Sequence, residues 1–296
     1  MLETDLPALL LVDKPEGPTS HDVIQVARRA LGLKRIGHTG TLDPFASGLL
    51  LLCVGRSTRL AEYFHLLSKT YSATAVLGAE TDTEDCTGEM TETSDEWRSL
   101  GIEEIERAAD RLRGEHDQVP PAFSAKKVAG RRSYEAARAG AALELAARAV
   151  KVHSLAIGDV RLPEVDFVAE VSTGTYVRSL ARDLGRALGC GAHLSRLRRL
   201  SIGPFSVVDA VGLAELAEGS VPAGASRSAA QALSWLPTRN LSESEVSEVE
   251  HGRKIPDLAD SGDEDLPVAM LAGERLVSVG RRDSEGLRPE KVFHDD

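Results

Sequence analysis

Two runs of wholly apolar residues, at positions 9–12 and 49–54, most constrain what this chain can fold into. Both are strand-length, far below the ~20 apolar residues that a membrane-spanning helix requires. The first run ends in the turn-forming sequence Asp13-Lys14-Pro15 and predicts a short buried strand. The second fits either a buried strand or the inner part of a helix, because periodicity does not separate the two. We therefore expect a globular protein with a buried core and no contact with a membrane.

Composition narrows the class of protein further. The 296 residues are 42% apolar and 27% charged, which is typical of a globular chain with one large domain or two unequal ones. The three cysteines lie far apart without a C-x-x-C spacing, so we expect neither a disulfide framework nor a zinc site. A reducing, cytoplasmic compartment suits this usage. The N-terminal residues are acidic rather than basic, so no signal peptide is predicted.

The net charge of −11 argues against a nucleic-acid partner only if the charge is evenly spread. It is not, because residues 119–200 carry 14 Lys and Arg against 7 Asp and Glu, whereas residues 71–118 and 201–296 are acidic. A basic block of this kind is what a phosphate-binding surface on an acidic protein requires. Basic residues on solvated helix faces would give the same count, so both interpretations stay open.

Periodicity and turn residues predict a succession of helices and strands, then a linker of small residues at 219–228. The predicted helices lie between a cap at Thr19 or Ser20 and Gly32, at 58–68, at 102–113 and after Thr173-Gly174-Thr175. The predicted strands lie at 9–12, 70–77, 166–171, 268–270 and 276–279. In the last helix, three leucines form one face and Arg178, Arg182 and Arg186 lie on others. The acidic residues between 80 and 96 are expected to form a solvated loop.

The glycine-rich segment GHTGTLDPFASG at 37–48 is a candidate phosphate-binding loop. It contains neither G-x-G-x-x-G nor G-x-x-x-x-G-K-[ST], so the sequence supports no nucleotide cofactor. The acidic stretch at 82–89 misses the calcium-loop spacing, and the histidines are scattered, so no metal site is predicted.

Asp43 within this segment is the main candidate for chemistry. Before Pro44 it can be an ordinary turn former, or the surrounding glycines can let the backbone present its carboxylate into a cleft. Tyr71 and Tyr176 are either half-buried structural residues or platforms on which an unpaired base stacks, and Arg178 can pair with a carboxylate.

Six segments in order resemble the bacterial tRNA pseudouridine synthases of the TruB type, which modify uridine 55 in the T-loop. They are LVDKPEGPTS at 11–20, GHTGTLDPFASG at 37–48, KTYSA at 69–73, TDTEDCTGE at 81–89, PPAFSAKK at 120–127 and GTYVRSLARDLG at 174–185. The resemblance covers about residues 9–205, and six ordered segments are specific where any single one is not.

The resemblance implies an α+β fold, with a largely antiparallel or mixed central sheet and an active-site cleft across it. It further implies a catalytic domain over 1–224, with an RNA-clamping insertion at about 80–150, and a small PUA-like β domain over 229–296. The implied reaction uses no cofactor and no metal. The implied partner is tRNA, bound by a monomer that requires no other protein.

The resemblance also implies roles for particular residues. Asp43 is the catalytic nucleophile, Arg178 its cationic partner, and Tyr71 a catalytic residue that stacks on the flipped base. The predicted RNA-binding residues are His38, Tyr71, Tyr176, Leu197, Lys126, Lys127, Arg131 and Arg132. Desolvation would raise the pKa of a carboxyl in a closed site, so an ionised Asp43 requires a fixed cation beside it.

Two alternatives remain at this point. One is a noncatalytic RNA-binding or tRNA-folding module, which needs the basic block but no reactive carboxylate. The other is a relative of the RNA-guided pseudouridine synthases, against which the block at 80–150 argues, because it resembles the insertion of the stand-alone branch.

Overall fold

A computed structural model describes residues 8–123, 127–128, 131–132, 146–257 and 265–294. The strands are β1 (Leu9–Lys14), β2 (Ile36–His38), β3 (Ser47–Val54), β4 (Lys69–Leu77), β5 (Ala79–Thr81), β6 (Met90–Thr93), β7 (Gly114–Gln118), β8 (Lys127–Val128), β9 (Arg131–Arg132), β10 (Arg148–Arg161), β11 (Glu164–Val171), β12 (Ala192–Ile202), β13 (Phe205–Ser206), β14 (Val211–Gly212), β15 (Ser226–Arg227), β16 (Thr238–Asn240), β17 (Val268–Ala272), β18 (Arg275–Asp283) and β19 (Gly286–Val292). The α-helices are α1 (Ser20–Leu31), α2 (Ile102–Arg111), α3 (Val177–Ala187), α4 (Leu213–Ala217), α5 (Ala229–Ala232) and α6 (Glu243–Glu250).

Within the described residues, eleven strands form one mixed sheet, whose main path runs β14-β1-β3-β12-β4-β11-β10-β7. The β1–β14 and β3–β12 pairs are parallel, and the other pairs along this path are antiparallel. A separate sheet, β16-β17-β18-β19, lies in the C-terminal part. The predicted α+β fold, with a mixed central sheet and a smaller C-terminal sheet, is confirmed.

The apolar run at 49–54 is the buried strand β3. Its side chains alternate between two hydrophobic clusters, with Leu49 and Leu51 in one and Leu50 and Leu52 in the other. A strand that is covered on both faces is apolar at every position, so alternation cannot be seen in its sequence. Helix α1 covers one face, and residues of β17 and β18 pack into the cluster on the other.

Two local predictions were wrong. The helix expected at 58–68 is a pair of 3₁₀ helices, Gly55–Leu60 and Tyr63–Leu66. The solvated loop expected at 80–96 contains the β5–β6 hairpin, and Glu80, Glu84 and Asp85 are buried there.

Other expectations lie at the limits of the described residues. Strand β15 lies within the predicted linker and pairs with β1, and the domain bounds 1–224 and 229–296 stay predictions. Lys127, Arg131 and Arg132 belong to the β8–β9 hairpin, whereas Lys126 lies outside the described residues. In the part of the chain that the structure describes, no helix is both long and apolar enough to cross a membrane.

Gly48 provides a test of the contact between β3 and β12. Its φ is +104°, and a Cβ there would lie 2.3 Å from the carbonyl oxygen of Arg199. Gly48→Ala should cost the strained backbone conformation plus the displacement of β12, together roughly 2–6 kcal/mol of unfolding free energy. Gly17 has the same φ of +104° and no atom within 4 Å of its Cβ position. Gly17→Ala should therefore cost only roughly 1–3 kcal/mol, and equal losses in urea denaturation would contradict the contact.

Candidate active site

A cavity of about 490 Å³ opens where the β2–β3 loop, strands β4 and β12, and the turn before α3 meet. Its volume lies in the range of about 300–1,000 Å³ that is usual for small-molecule sites. The structure brings six of the sequence-predicted residues to its wall, namely His38, Asp43, Tyr71, Tyr176, Arg178 and Leu197.

The start of α1 holds the loop that carries Asp43. Thr19 caps α1 in a reciprocal arrangement with Asp22, and this leaves the hydroxyl of Ser20 available for another partner. Ser20 Oγ accepts from the Leu42 N–H at 2.9 Å and donates to the Leu42 carbonyl at 3.1 Å. The loop is thus fixed at the residue immediately before Asp43.

A buried lysine fixes the other side of the same loop. Lys14 Nζ donates to the carbonyls of Pro15, Pro18 and Pro44, at 2.8, 2.9 and 3.3 Å. Sequence reasoning treated Lys14 as part of a turn and missed this function. Burial lowers the pKa of Lys14, whereas the charge of Asp43 raises it.

Arg178 is the cation beside Asp43. Its Nε lies 3.0 Å from Asp43 Oδ2, and the residue is only 4% exposed. Nη1 also contacts Asp85 Oδ2 at 3.2 Å, and Nη2 donates to the Phe123 carbonyl at 2.9 Å. The guanidinium therefore has contacts on several sides, which hold it against Asp43. The interpretation that the basic residues lie on solvated helix faces is wrong for this one.

Three arginines of α3 face the acidic hairpin that was expected to be solvated. Arg178 pairs with Asp85, Arg182 with Glu84, and Arg186 with Glu80. Because the arginines are four residues apart, they lie along one side of the helix. Glu84 has a φ of +62°, which places Asp85 beside Arg178 at some cost in backbone strain.

Opposing effects set the pKa of Asp43. Burial in the cavity wall raises it above its usual value, and the positive charge of Arg178 opposes that rise. The carboxylate of Asp85 raises it further, and Lys14 lowers it. The cation that an ionised Asp43 requires is therefore in place.

Arg199, which sequence reasoning also missed, connects the Asp43 loop to the strand of Tyr71. It is 2% exposed, and its Nε donates to the Leu49 carbonyl at 2.7 Å. Nη2 donates to the Gly40 carbonyl at 3.1 Å, and Nη1 lies 3.5 Å from Tyr71 Oη. A signal was present in the sequence, because alternation along β12 places Arg199 on the same side as the pocket residue Leu197.

Two more titratable groups lie at the cavity wall. Burial lowers the pKa of Lys69 to about 8, and its Nζ donates to the Leu67 carbonyl at 2.6 Å and to Thr173 Oγ1. Burial, followed by the charge of Arg199, lowers the pKa of His38. His38 is therefore mainly neutral at neutral pH. The described ranges contain no group of three or more His, Cys, Asp or Glu side chains arranged to hold a metal ion.

Comparison with protein families gives two consecutive matches. Residues 28–177 match the family model described as the TruB family pseudouridylate synthase N-terminal domain. Residues 178–234 match the one described as the tRNA pseudouridylate synthase B C-terminal domain.

Curated relatives are similar over nearly the whole chain. The tRNA pseudouridine synthase B of Arthrobacter sp. (strain FB24) is 43% identical and covers 97% of both chains. The protein of the same name from Thermobifida fusca (strain YX) is 41% identical, over 96% of this chain and 98% of its own.

Solved structures share the fold at lower identity. An H/ACA RNP bound to a substrate RNA containing 2′-deoxyuridine has a chain with a TM-score of 0.74 and 26% identity, over 97% of this chain and 85% of that one. A chain of a Cbf5-Nop10-Gar1 complex also has a TM-score of 0.74, with 27% identity, over 97% of this chain and 84% of its own.

The lowered pKa of Lys69 predicts how the free energy of unfolding depends on pH. The pKa of Lys69 is about 8 in the folded protein, whereas its ordinary value, which the unfolded chain has, is 10.5. The unfolded chain therefore binds the Lys69 proton more tightly. Stability from this group therefore rises as the pH rises through this range. Relative to Lys69→Met, the wild type should gain on the order of 3 kcal/mol of unfolding free energy between pH 7 and pH 10.5.

Urea denaturation at the two pH values measures this gain. Lys34→Met, which removes a positive charge from an exposed position, is the control. An equal pH dependence for the two variants would contradict the assignment.

Proposed function

This chain belongs to the TruB family of pseudouridylate synthases, and on that premise we propose that it isomerises uridine 55 in the T-loop of tRNA to pseudouridine. The names of its relatives, tRNA pseudouridine synthase B, support tRNA as the substrate. The isomerisation breaks the bond between N1 and C1′ of uridine and joins C5 to C1′. It transfers no electrons to an acceptor and consumes no group donor, so the cavity's own side chains can suffice.

One observation carries the proposal: the Asp43 carboxylate lies 3.0 Å from the buried Arg178 guanidinium, in a cavity that Tyr71 also lines. A carboxylate can act as a nucleophile and divide one difficult step into two easier ones. Asp43 acts at C1′ as the N1–C1′ bond breaks, either by attacking C1′ or by assisting elimination to a glycal-like intermediate, and the freed uracil turns. C5 then bonds to C1′, which regenerates the Asp43 carboxylate, and transfer of the C5 proton to N1 restores the uracil ring.

The target uridine must leave its stack before Asp43 can reach the sugar. Enzymes that act on one base extrude it into a fitted pocket and stack aromatic side chains on it. Tyr71 and Tyr176 supply aromatic rings at the cavity wall, Leu197 an apolar surface, and His38 a ring that can separate the neighbouring bases. These contacts support base flipping as the mode of access.

A group of basic residues in the sequence also fits an RNA substrate. Lys126, Lys127, Arg131 and Arg132 follow Phe123 closely in the sequence, and we propose that they contact tRNA phosphates.

The proposed reaction predicts the effect of a substitution at Asp43. The protein alone should convert uridine 55 of an unmodified tRNA transcript, as mapped by chemistry selective for pseudouridine. Asp43→Ala should slow the reaction on the order of 10⁴-fold or more, about 5 kcal/mol of barrier, and leave tRNA affinity within a few-fold.

Asp95→Ala removes an exposed carboxylate and should retain the wild-type rate. A tenth of the wild-type rate in Asp43→Ala would remove Asp43 from the nucleophilic role. If the wild type forms product only with a guide RNA, it is an RNA-guided enzyme. If Asp43→Asn retains the effect that the wild-type protein has in the cell, the protein acts as a noncatalytic RNA-folding module.

The contacts of Arg199 generate a further prediction. Arg199→Lys keeps the charge but cannot contact Gly40, Leu49 and Tyr71 together, because an ammonium lacks the planar fork. The loss of one charged hydrogen bond, roughly 1.5–3 kcal/mol, should lower the single-turnover rate roughly 10- to 100-fold. Arg198→Lys is the matched control, because Arg198 pairs with Asp13 instead. Equal rates for the two variants would contradict the role of Arg199.

A further inference from the structure

The side-chain amide of Gln118 joins the edge of the main sheet to the start of α3. Gln118 ends the edge strand β7 and is only 2% exposed. Its Oε1 accepts from the Tyr176 N–H at 2.8 Å, and its Nε2 donates to the Tyr176 carbonyl at 3.1 Å. Both ends of the amide thus bind the backbone of one residue, as a neighbouring strand would.

Tyr176 connects the Gln118 contact to the cavity and to α3. It immediately precedes α3, and its own side chain does not cap the helix. Tyr176 lines the cavity, and Arg178 follows two residues later in the first turn of α3. A shift of the Tyr176 backbone would therefore move a wall of the pocket and the cation beside Asp43 together.

The segment that follows Gln118 is attached to the same helix. Arg182 Nη2 donates to the Val119 carbonyl at 3.1 Å, and Arg178 Nη2 donates to the Phe123 carbonyl at 2.9 Å. In these two contacts α3 provides the side chain and the segment provides backbone. In the Gln118 contact, the side chain belongs to the end of β7 and the backbone belongs to Tyr176, at the start of α3. A single substitution at Gln118 therefore removes this contact and leaves the two arginine contacts in place.

We propose that Gln118 is a positioning residue for the isomerisation, which sets Tyr176 and Arg178 through the backbone at the start of α3. This inference rests on the proposed function. Since a misplacement of about 1 Å can cost about 10²-fold in rate, the chemical step should be sensitive to Gln118. Binding of tRNA should change little, because phosphate contacts dominate RNA affinity and the Gln118 amide instead binds the backbone of Tyr176.

Two variants separate positioning from general stability. Gln118→Met keeps the length of the side chain and removes both hydrogen bonds. Its single-turnover rate at saturating tRNA should fall roughly 10- to 100-fold, with the dissociation constant for tRNA within about threefold of wild type.

Gln118→Glu makes the arrangement depend on pH. A protonated carboxyl can accept from the Tyr176 N–H and donate to its carbonyl, whereas an ionised one cannot donate. Burial favours the protonated form. The rate of Gln118→Glu relative to wild type should therefore rise at least about fivefold between pH 8.5 and pH 5.5 if the amide positions the site. A purely structural role predicts no such change in the ratio.

Val150→Ala is the matched control. Val150 is buried in β10, opposite His116 of β7, so its truncation weakens the same sheet edge without removing the amide. Its single-turnover rate should stay near wild type. A rate within twofold of wild type in Gln118→Met, or an equal loss in Val150→Ala, would overturn the proposal. If Gln118→Met does not fold, a flat rate ratio for Gln118→Glu would overturn it. An inactive wild type would instead refute the proposed function itself.

Discussion

The ion pair between Arg178 and Asp43 depends on the burial of one guanidinium between two carboxylates. Taking an ion out of water costs several kcal/mol unless good partners replace the water, and breaking a buried pair typically costs about 3–5 kcal/mol. Arg178 meets this requirement with the carboxylates of Asp43 and Asp85 and the backbone carbonyls of Thr83 and Phe123. Arg178 therefore links the Asp43 loop, the acidic hairpin and α3 through one charged group, beside the apolar cluster in which Leu42 and Val177 pack.

The same constraint explains which parts of the site could be predicted from the sequence. Asp43, Tyr71 and Arg178 lie in segments with a specific order, and the chemistry of an ionised carboxylate already required a cation nearby. The hairpin was mispredicted because acidic residues are normally solvated, and the partners that bury these ones are distant in the sequence. Arg178 lies 93 residues from Asp85. A local pattern carries no information about a pair at that separation.

Single buried charged residues in strands were the other feature that the sequence did not predict. Lys14 follows an apolar run and resembles the start of a turn, yet it is fully buried on backbone carbonyls. Arg199 was detectable in principle, because strand alternation places it beside Leu197. For β3 the sequence left a strand and a helix equally open. Both faces of this strand are buried, so its sequence shows no alternation of apolar and polar residues. Tertiary packing, rather than local propensity, decided each of these cases.

The buried cations also reconcile an acidic protein with an anionic substrate. The chain carries a net charge of −11, but Lys14, Lys69, Arg178 and Arg199 are buried at or beside the cavity, where Asp43 supplies a carboxylate. Lys14 and Lys69 donate to backbone carbonyls, and Arg199 does the same. Their charges are thus fixed in place before any substrate arrives. Fixed charges in a site that excludes water stabilise a developing negative charge without further reorganisation. In the proposed reaction that charge develops on the uracil as its bond to C1′ breaks, in the cavity that Lys69, Arg178 and Arg199 line.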